Sequence, residues 1–163
     1  MTAQIAERLI FEGQEHALLS NPLSEYFALG GERPDFQSTS TALWRGYVGT
    51  WEVVGDRLYM VAIKGWLESG QEASLETVFP GFPNRVLAHW FTGKLRIPQG
   101  RQLEYVHMGY ASSYEQDLFL SFKNGLLTGK EVQVNGKAPE SAPDGYGIGA
   151  MTVWSIQNKE DQS

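Results

Sequence analysis

The stretch "YVGTWEVVGDRLYMVAIKG", Tyr47 to Gly65, constrains the fold of this chain more than any other. Gly55-Asp56 stands between two runs of alternating apolar residues, the signature of a two-residue hairpin turn, and glycine at the first central position predicts II′ geometry. The resulting register pairs Val53 with Leu58, Trp51 with Met60 and Gly49 with Ala62 on one apolar face. The other face sets Val54 opposite Arg57, Glu52 opposite Tyr59 and Thr50 opposite Val61, the pattern of an antiparallel pair with one wet side.

Other segments extend the pattern. "DLFLSFKNGLLTGKEVQV" predicts a hairpin with Asn124-Gly125 as a I′ turn, pairing Lys123 with Leu126, Phe122 with Leu127 and Ser121 with Thr128. "KLRIPQGRQLEYVHMG" reads as a third with its bend from Pro98 to Arg101, and a shorter one surrounds Glu12-Gly13-Gln14. "SNPLSEYFALGG" predicts a short helix, with Ser20 or Asn21 as cap, Pro22 in the first turn and Gly30-Gly31 as the stop. Leu23, Tyr26 and Phe27 form its buried face. "NRVLAHWFTG" fits a strand or a short helix capped by Asn84, the helix being favoured. "VNGKAPESAPDGYGIG" reads as a long loop before a last strand, "AMTVWSIQ". The expected fold is a mainly β, α+β domain over residues 1–158, with 159–163 as a disordered tail. Its antiparallel sheet is curved or closed into a barrel, with one or two short helices against it.

Composition narrows the functional classes. The 163 residues, 42% hydrophobic, suffice for one packed core. A net charge of -6 opposes binding to a phosphate backbone, so no nucleic-acid partner is expected. No cysteine is present, which removes thiolate chemistry and suits a reducing cytoplasm. The start "MTAQIAERLIFEGQEH" lacks a signal-peptide pattern, and no apolar run has the length of a membrane span, so neither export nor membrane insertion is expected.

The chemical motifs are sparse. His16, His89 and His107 are far apart in sequence and fit no metal-ligand spacing, so no metal or other cofactor is expected. "DGYGIGAMT" and "GLLTGKEV" lack the ending and context of a phosphate-binding loop, and Ser112-Ser113 suit local capping. The remaining candidate is "YVHMGYASSYEQD". Strand alternation puts Leu103, Tyr105 and His107 on one face and Glu104, Val106, Met108 and Tyr110 on the other. A bend at Gly109 would then return Tyr114, Glu115 and Asp117 toward them. A catalytic reading uses His107 as general base, oriented by Glu115 or Asp117, with Tyr105 or Tyr114 as a polarising hydroxyl. The structural reading is a half-buried strand whose polar groups satisfy one another, and spacing alone favours it.

"YVGTWEVV", Tyr47 to Val54, resembles the first strand of the calycins, the lipocalins and fatty-acid-binding proteins, through Gly49, Thr50 and Trp51. The resemblance implies a β-barrel whose base Trp51 closes around an apolar small molecule. Three departures leave the barrel as an architecture without the family: the motif begins only at Tyr47, the strand turns back at Gly55, and no arginine follows Arg101 to cross the tryptophan.

Three functions are therefore expected in turn. The first is a non-catalytic interaction protein, of the bacterial immunity or accessory type, whose acidic surface meets a basic protein partner. The second is a small-molecule-binding barrel with Trp51, Met60, Trp90, Tyr110 and Tyr114 as ligand contacts. The third is an acid-base hydrolase or isomerase built on His107, Tyr105, Glu115 and Asp117.

Overall fold

Three of the four predicted turns each bring a strand pair together, and among the described residues a single sheet of eight strands grows from them. The computed structural model describes residues 3–106, 108–139 and 145. The predicted last strand at "AMTVWSIQ", the tail and His107 lie outside the described residues.

In chain order, β1 (Glu7–Phe11) and β2 (Gln14–Leu18) precede a helix α1 (Pro22–Ala28) and a 3-10 turn (Thr41–Leu43). β3 (Tyr47–Val54) and β4 (Arg57–Gly65) lead to a one-turn helix α2 (Leu75–Val78) and a two-residue β5 (Val86–Leu87). β6 (Gly93–Glu104), β7 (Ser113–Lys123) and β8 (Leu126–Val134) follow as a meander. The strand order is β2-β1-β3-β4-β8-β7-β6, with β5 also on β4. All neighbours are antiparallel except β1 and β3.

The sheet is mixed and not closed, which corrects the barrel alternative. Beyond the end of β2, the Leu19 N–H donates to the Arg96 carbonyl of β6 at 2.8 Å, and Arg96 N–H donates to Ser20 Oγ at 3.0 Å. The two outermost strands of the order therefore curl round to within a hydrogen bond, but no ladder joins them. The other seam is equally narrow: β4 and β8 share the one residue pair Arg57 and Leu126. Two half-sheets result, β2-β1-β3-β4 and β8-β7-β6, with the core between them. Leu9, Leu18, Trp51, Leu58 and Met60 from one half and Leu95, Ile97, Leu118 and Leu120 from the other are buried at 1% exposure or less. Burial of this apolar area is the dominant favourable term in folding.

Local chemistry explains where the registers hold and where they shift. Gly55 and Asp56 have φ of 57° and 62°, so the first turn is I′ where II′ was predicted. Val53 still pairs with Leu58 and Trp51 with Met60, but a bulge at Val61 then sets Thr50 opposite Ala62 and Gly49 opposite Ile63. The extra residue turns Ile63 inward and leaves Ala62 exposed, so the larger side chain reaches the core. The Asn124-Gly125 turn is I′, as predicted, with φ of 50° and 79°. Past Phe122 and Leu127 a second bulge places Ser121 opposite Gly129 instead of Thr128.

One expectation fails outright, and for a second the less favoured of two alternatives holds. Pro98 to Arg101 is no hairpin bend: β6 runs through it and pairs with β7 on both sides of an irregularity between Gln99 and Gln102. Proline is tolerated because β6 is the last strand of the order and needs no partner on its outer side. "NRVLAHWFTG" yields the strand β5 and a turn, because β4 offers Tyr59 and Met60 as pairing partners for Leu87 and Val86. The helix at Pro22 does form, with Leu23 wholly buried. Trp90 Nε1 donates to the Pro22 carbonyl at 2.9 Å, and Tyr26, Phe79 and Trp90 pack as one aromatic group with centroids 4.9 to 5.5 Å apart.

Candidate functional site

The stretch Tyr105 to Asp117 is divided between a loop and the start of β7. Arg96, on the outward face of β6, fastens that loop. Its Nη1 donates to the Tyr110 carbonyl at 2.7 Å and its Nη2 to the Ser112 carbonyl at 2.9 Å. Its Nε donates to Asp117 Oδ1 at 2.8 Å. The second Asp117 oxygen accepts from Asn135 Nδ2 at 2.9 Å, and the same amide donates to the Tyr114 carbonyl. Asp117 is 5% exposed, and each of its oxygens has a partner.

Glu115 lies two residues away on the same face of β7. One oxygen accepts the Arg101 N–H at 2.6 Å and the other the Ala138 N–H at 3.0 Å. Those two amides hold its carboxyl below the ordinary carboxylate range. A charged acceptor is thus used to tie the irregularity in β6 to the segment after β8. Tyr105 is about half exposed at the beginning of the loop, and Tyr114 is buried. The structure brings Glu115 and Asp117 together as anchors of backbone and side-chain donors.

The ligand-contact candidates separate into two places. Trp51 and Met60 are wholly buried, and Trp90 packs edge-on against Trp51 at 6.4 Å, in the middle of the core. Tyr110 reaches a different environment. Its hydroxyl donates to Asn21 Oδ1 at 2.6 Å, and burial pushes the phenol well above its ordinary pKa. Asn21, one of the two predicted caps, is the N-cap residue of α1, but its side chain accepts from Tyr110 and makes no capping bond to the helix.

Sequence reasoning missed Glu7. Its carboxylate, wholly buried, accepts the Gly49 N–H at 2.5 Å, Arg45 Nη2 at 2.8 Å and Trp51 Nε1 at 3.3 Å. Burial raises its pKa despite Arg45, whose charge and hydrogen bond act in the opposite direction. Strand alternation in "ERLIF" contained the signal, since Glu7 shares a face with Leu9 and Phe11. The close approach also accounts for Gly-x-Trp: a Cβ on Gly49 would stand 2.7 Å from the Glu7 carboxylate and 2.9 Å from Met60 Cε.

A second missed feature is on the surface. Trp66 is 48% exposed and lies directly opposite Glu72 in an antiparallel bridge, which puts their side chains on one face. Glu68 opens the turn after Leu67, and its N–H donates to the Asp35 carbonyl at 2.8 Å. Asp35, Trp66, Glu68 and Glu72 are all exposed, while Phe36 and Leu67 turn to the other side and pack on the core. Lys64 precedes Trp66 on the same exposed row. An aromatic face beside three carboxylates is suited to a cationic side chain, by cation–π contact and charge together.

Among the described residues, no group of three His, Asp or Glu side chains stands close enough to hold a metal ion. None of their helices is long and apolar enough to cross a membrane. These features define an α+β protein, mainly β, built as an open curled sheet with two buried carboxylates, Glu7 and Asp117, and an exposed acidic aromatic face. No protein-family model matches the chain, and neither a curated protein nor a solved structure matches it.

Proposed function

We propose that this chain is a non-catalytic binding protein of the accessory or immunity type, which uses the Trp66 face to engage a basic protein partner in a reducing compartment. The observation that carries the reading is an exposed tryptophan paired with Glu72, next to the exposed and hydrogen-bonded Asp35 and Glu68. Exposed aromatics ringed by charge concentrate binding energy, and the net charge of -6 speeds encounter with a cationic surface. The commitment of Glu115 and Asp117 to structural hydrogen bonds favours binding over acid-base chemistry.

The test is titration of a fluorescent Lys/Arg-rich peptide with the full chain, followed by anisotropy at several salt concentrations. Trp66→Ala should weaken binding about thirtyfold, the size of an interface anchor. Glu68→Gln/Glu72→Gln should weaken it more than Glu104→Gln/Glu131→Gln, which changes net charge equally on other exposed strands. Equal loss in the two double variants would show general charge attraction and refute the proposal.

A further inference from the structure

The narrow seam between β4 and β8 leaves a second feature, unrelated to the Trp66 face. Past Leu127, β8 diverges from β4, and a groove of about 480 Å³ opens at the end of the curled sheet where the β1–β2 and β3–β4 turns meet β8. That volume falls within the roughly 300–1,000 Å³ of small-molecule sites. Its floor is apolar: Phe11, Val53 and Leu127 all lie on inward-facing rows of their strands. Its lip is charged, with Glu12 and Asp56 at the two turns and Lys130 on β8.

Lys130 Nζ and Glu12 Oε1 are 4.0 Å apart, longer than a hydrogen bond, and both side chains are about half exposed. Opposite charges at that separation match a molecule whose own ammonium and carboxylate sit on one carbon. The ammonium fits beside Glu12 and the carboxylate beside Lys130, and the side chain on that carbon then points to the apolar floor. An ω-amino acid spreads its charges too far to engage both and places polar atoms over Phe11 and Val53. We propose that this groove binds a free apolar α-amino acid. Asp56 adds a second carboxylate to the lip, so the ammonium is the more strongly held end.

The experiment is an amide-resolved NMR titration of the full chain with L-leucine, up to tens of millimolar. Shifts should concentrate at Glu12 and Gly13, Gly55 and Asp56, and Thr128 to Lys130. Lys130→Gln should raise the leucine Kd about fivefold, the upper value of one exposed ion pair. Isoamylamine, which lacks the carboxylate, should bind the unmodified chain about fivefold more weakly than leucine, and isocaproate, which lacks the ammonium, more weakly still. Glycine, which lacks the apolar group, should not compete. The proposal is overturned by shifts that are absent or lie elsewhere, by an unchanged Kd in Lys130→Gln, or by glycine or isoamylamine binding as tightly as leucine.

Discussion

Replacing Gly49 with alanine tests the buried centre of the molecule directly. The new Cβ would lie 2.7 Å from Glu7 Oε1, 2.9 Å from Met60 Cε and 3.0 Å from Trp51 Nε1. Met60 can yield, since its methyl is the end of a flexible side chain. Glu7 cannot yield freely, because its two oxygens are held by Gly49, Arg45 and Trp51. Overpacking costs about 1–3 kcal/mol. Displacing the carboxylate from one of its donors adds about 1.5–3 kcal/mol. Against this, alanine restricts the unfolded chain and returns about 0.4–1 kcal/mol. The net loss is about 3 kcal/mol, or a fall in Tm of about 6–12 °C for a chain of this length. Urea unfolding followed by circular dichroism measures it, with Gly129→Ala as comparison, where a Cβ meets nothing within 4 Å. A Gly49→Ala loss no larger than that of Gly129→Ala would refute the account of Gly-x-Trp as a seat for Glu7. Glu7→Asp, by withdrawing the carboxylate, should make the double variant less unstable than the sum of the singles.

Two further outcomes concern the latch on β7. Asn135→Asp replaces the amide that donates to Asp117 Oδ2 and the Tyr114 carbonyl with a second carboxylate, so at neutral pH it should cost about 2 kcal/mol. A neutral-pH urea midpoint equal to that of the unmodified chain would count against the latch. Glu115 has a folded pKa below its ordinary 4.5, so its contribution is present above that value and is lost as pH falls through the folded value. Unfolding midpoints from about pH 6 down to about pH 3 should therefore decline less in Glu115→Gln than in the unmodified chain.

The elements that were legible in the sequence are those fixed by neighbours in the chain. Asn124-Gly125 is a I′ turn because both residues tolerate positive φ, and the Val53–Leu58 and Trp51–Met60 pairs follow directly from their turn. Registers beyond the bulges were not legible, since an extra residue at Val61 or Thr128 is decided by what the sheet must bury further along. Pro98 and Gly100 looked like turn residues, yet β7 supplies a partner strand that carries β6 past them. The candidate cluster from Tyr105 to Asp117 was crowded in sequence, but its partners come from elsewhere: Arg96, Arg101, Asn135 and Ala138. Glu7 with Arg45, and Trp66 with Asp35, join segments more than thirty positions apart, and no local pattern encodes such meetings.

The two narrow seams also bear on how the chain is made. The half-sheet β2-β1-β3-β4 uses only residues from Glu7 to Gly65, and β8-β7-β6 only those from Gly93 to Val134. Each half is contiguous in the chain, and the first is complete before the second leaves the ribosome. Synthesis at about 5–20 residues per second gives its hairpins ample time to pair, since a hairpin closes in about 1–10 μs. Its apolar face then waits uncovered, with Trp51, Leu58 and Met60 exposed until Leu95 and Leu118 arrive. Nascent chains halted in that interval are the ones a chaperone would be expected to hold.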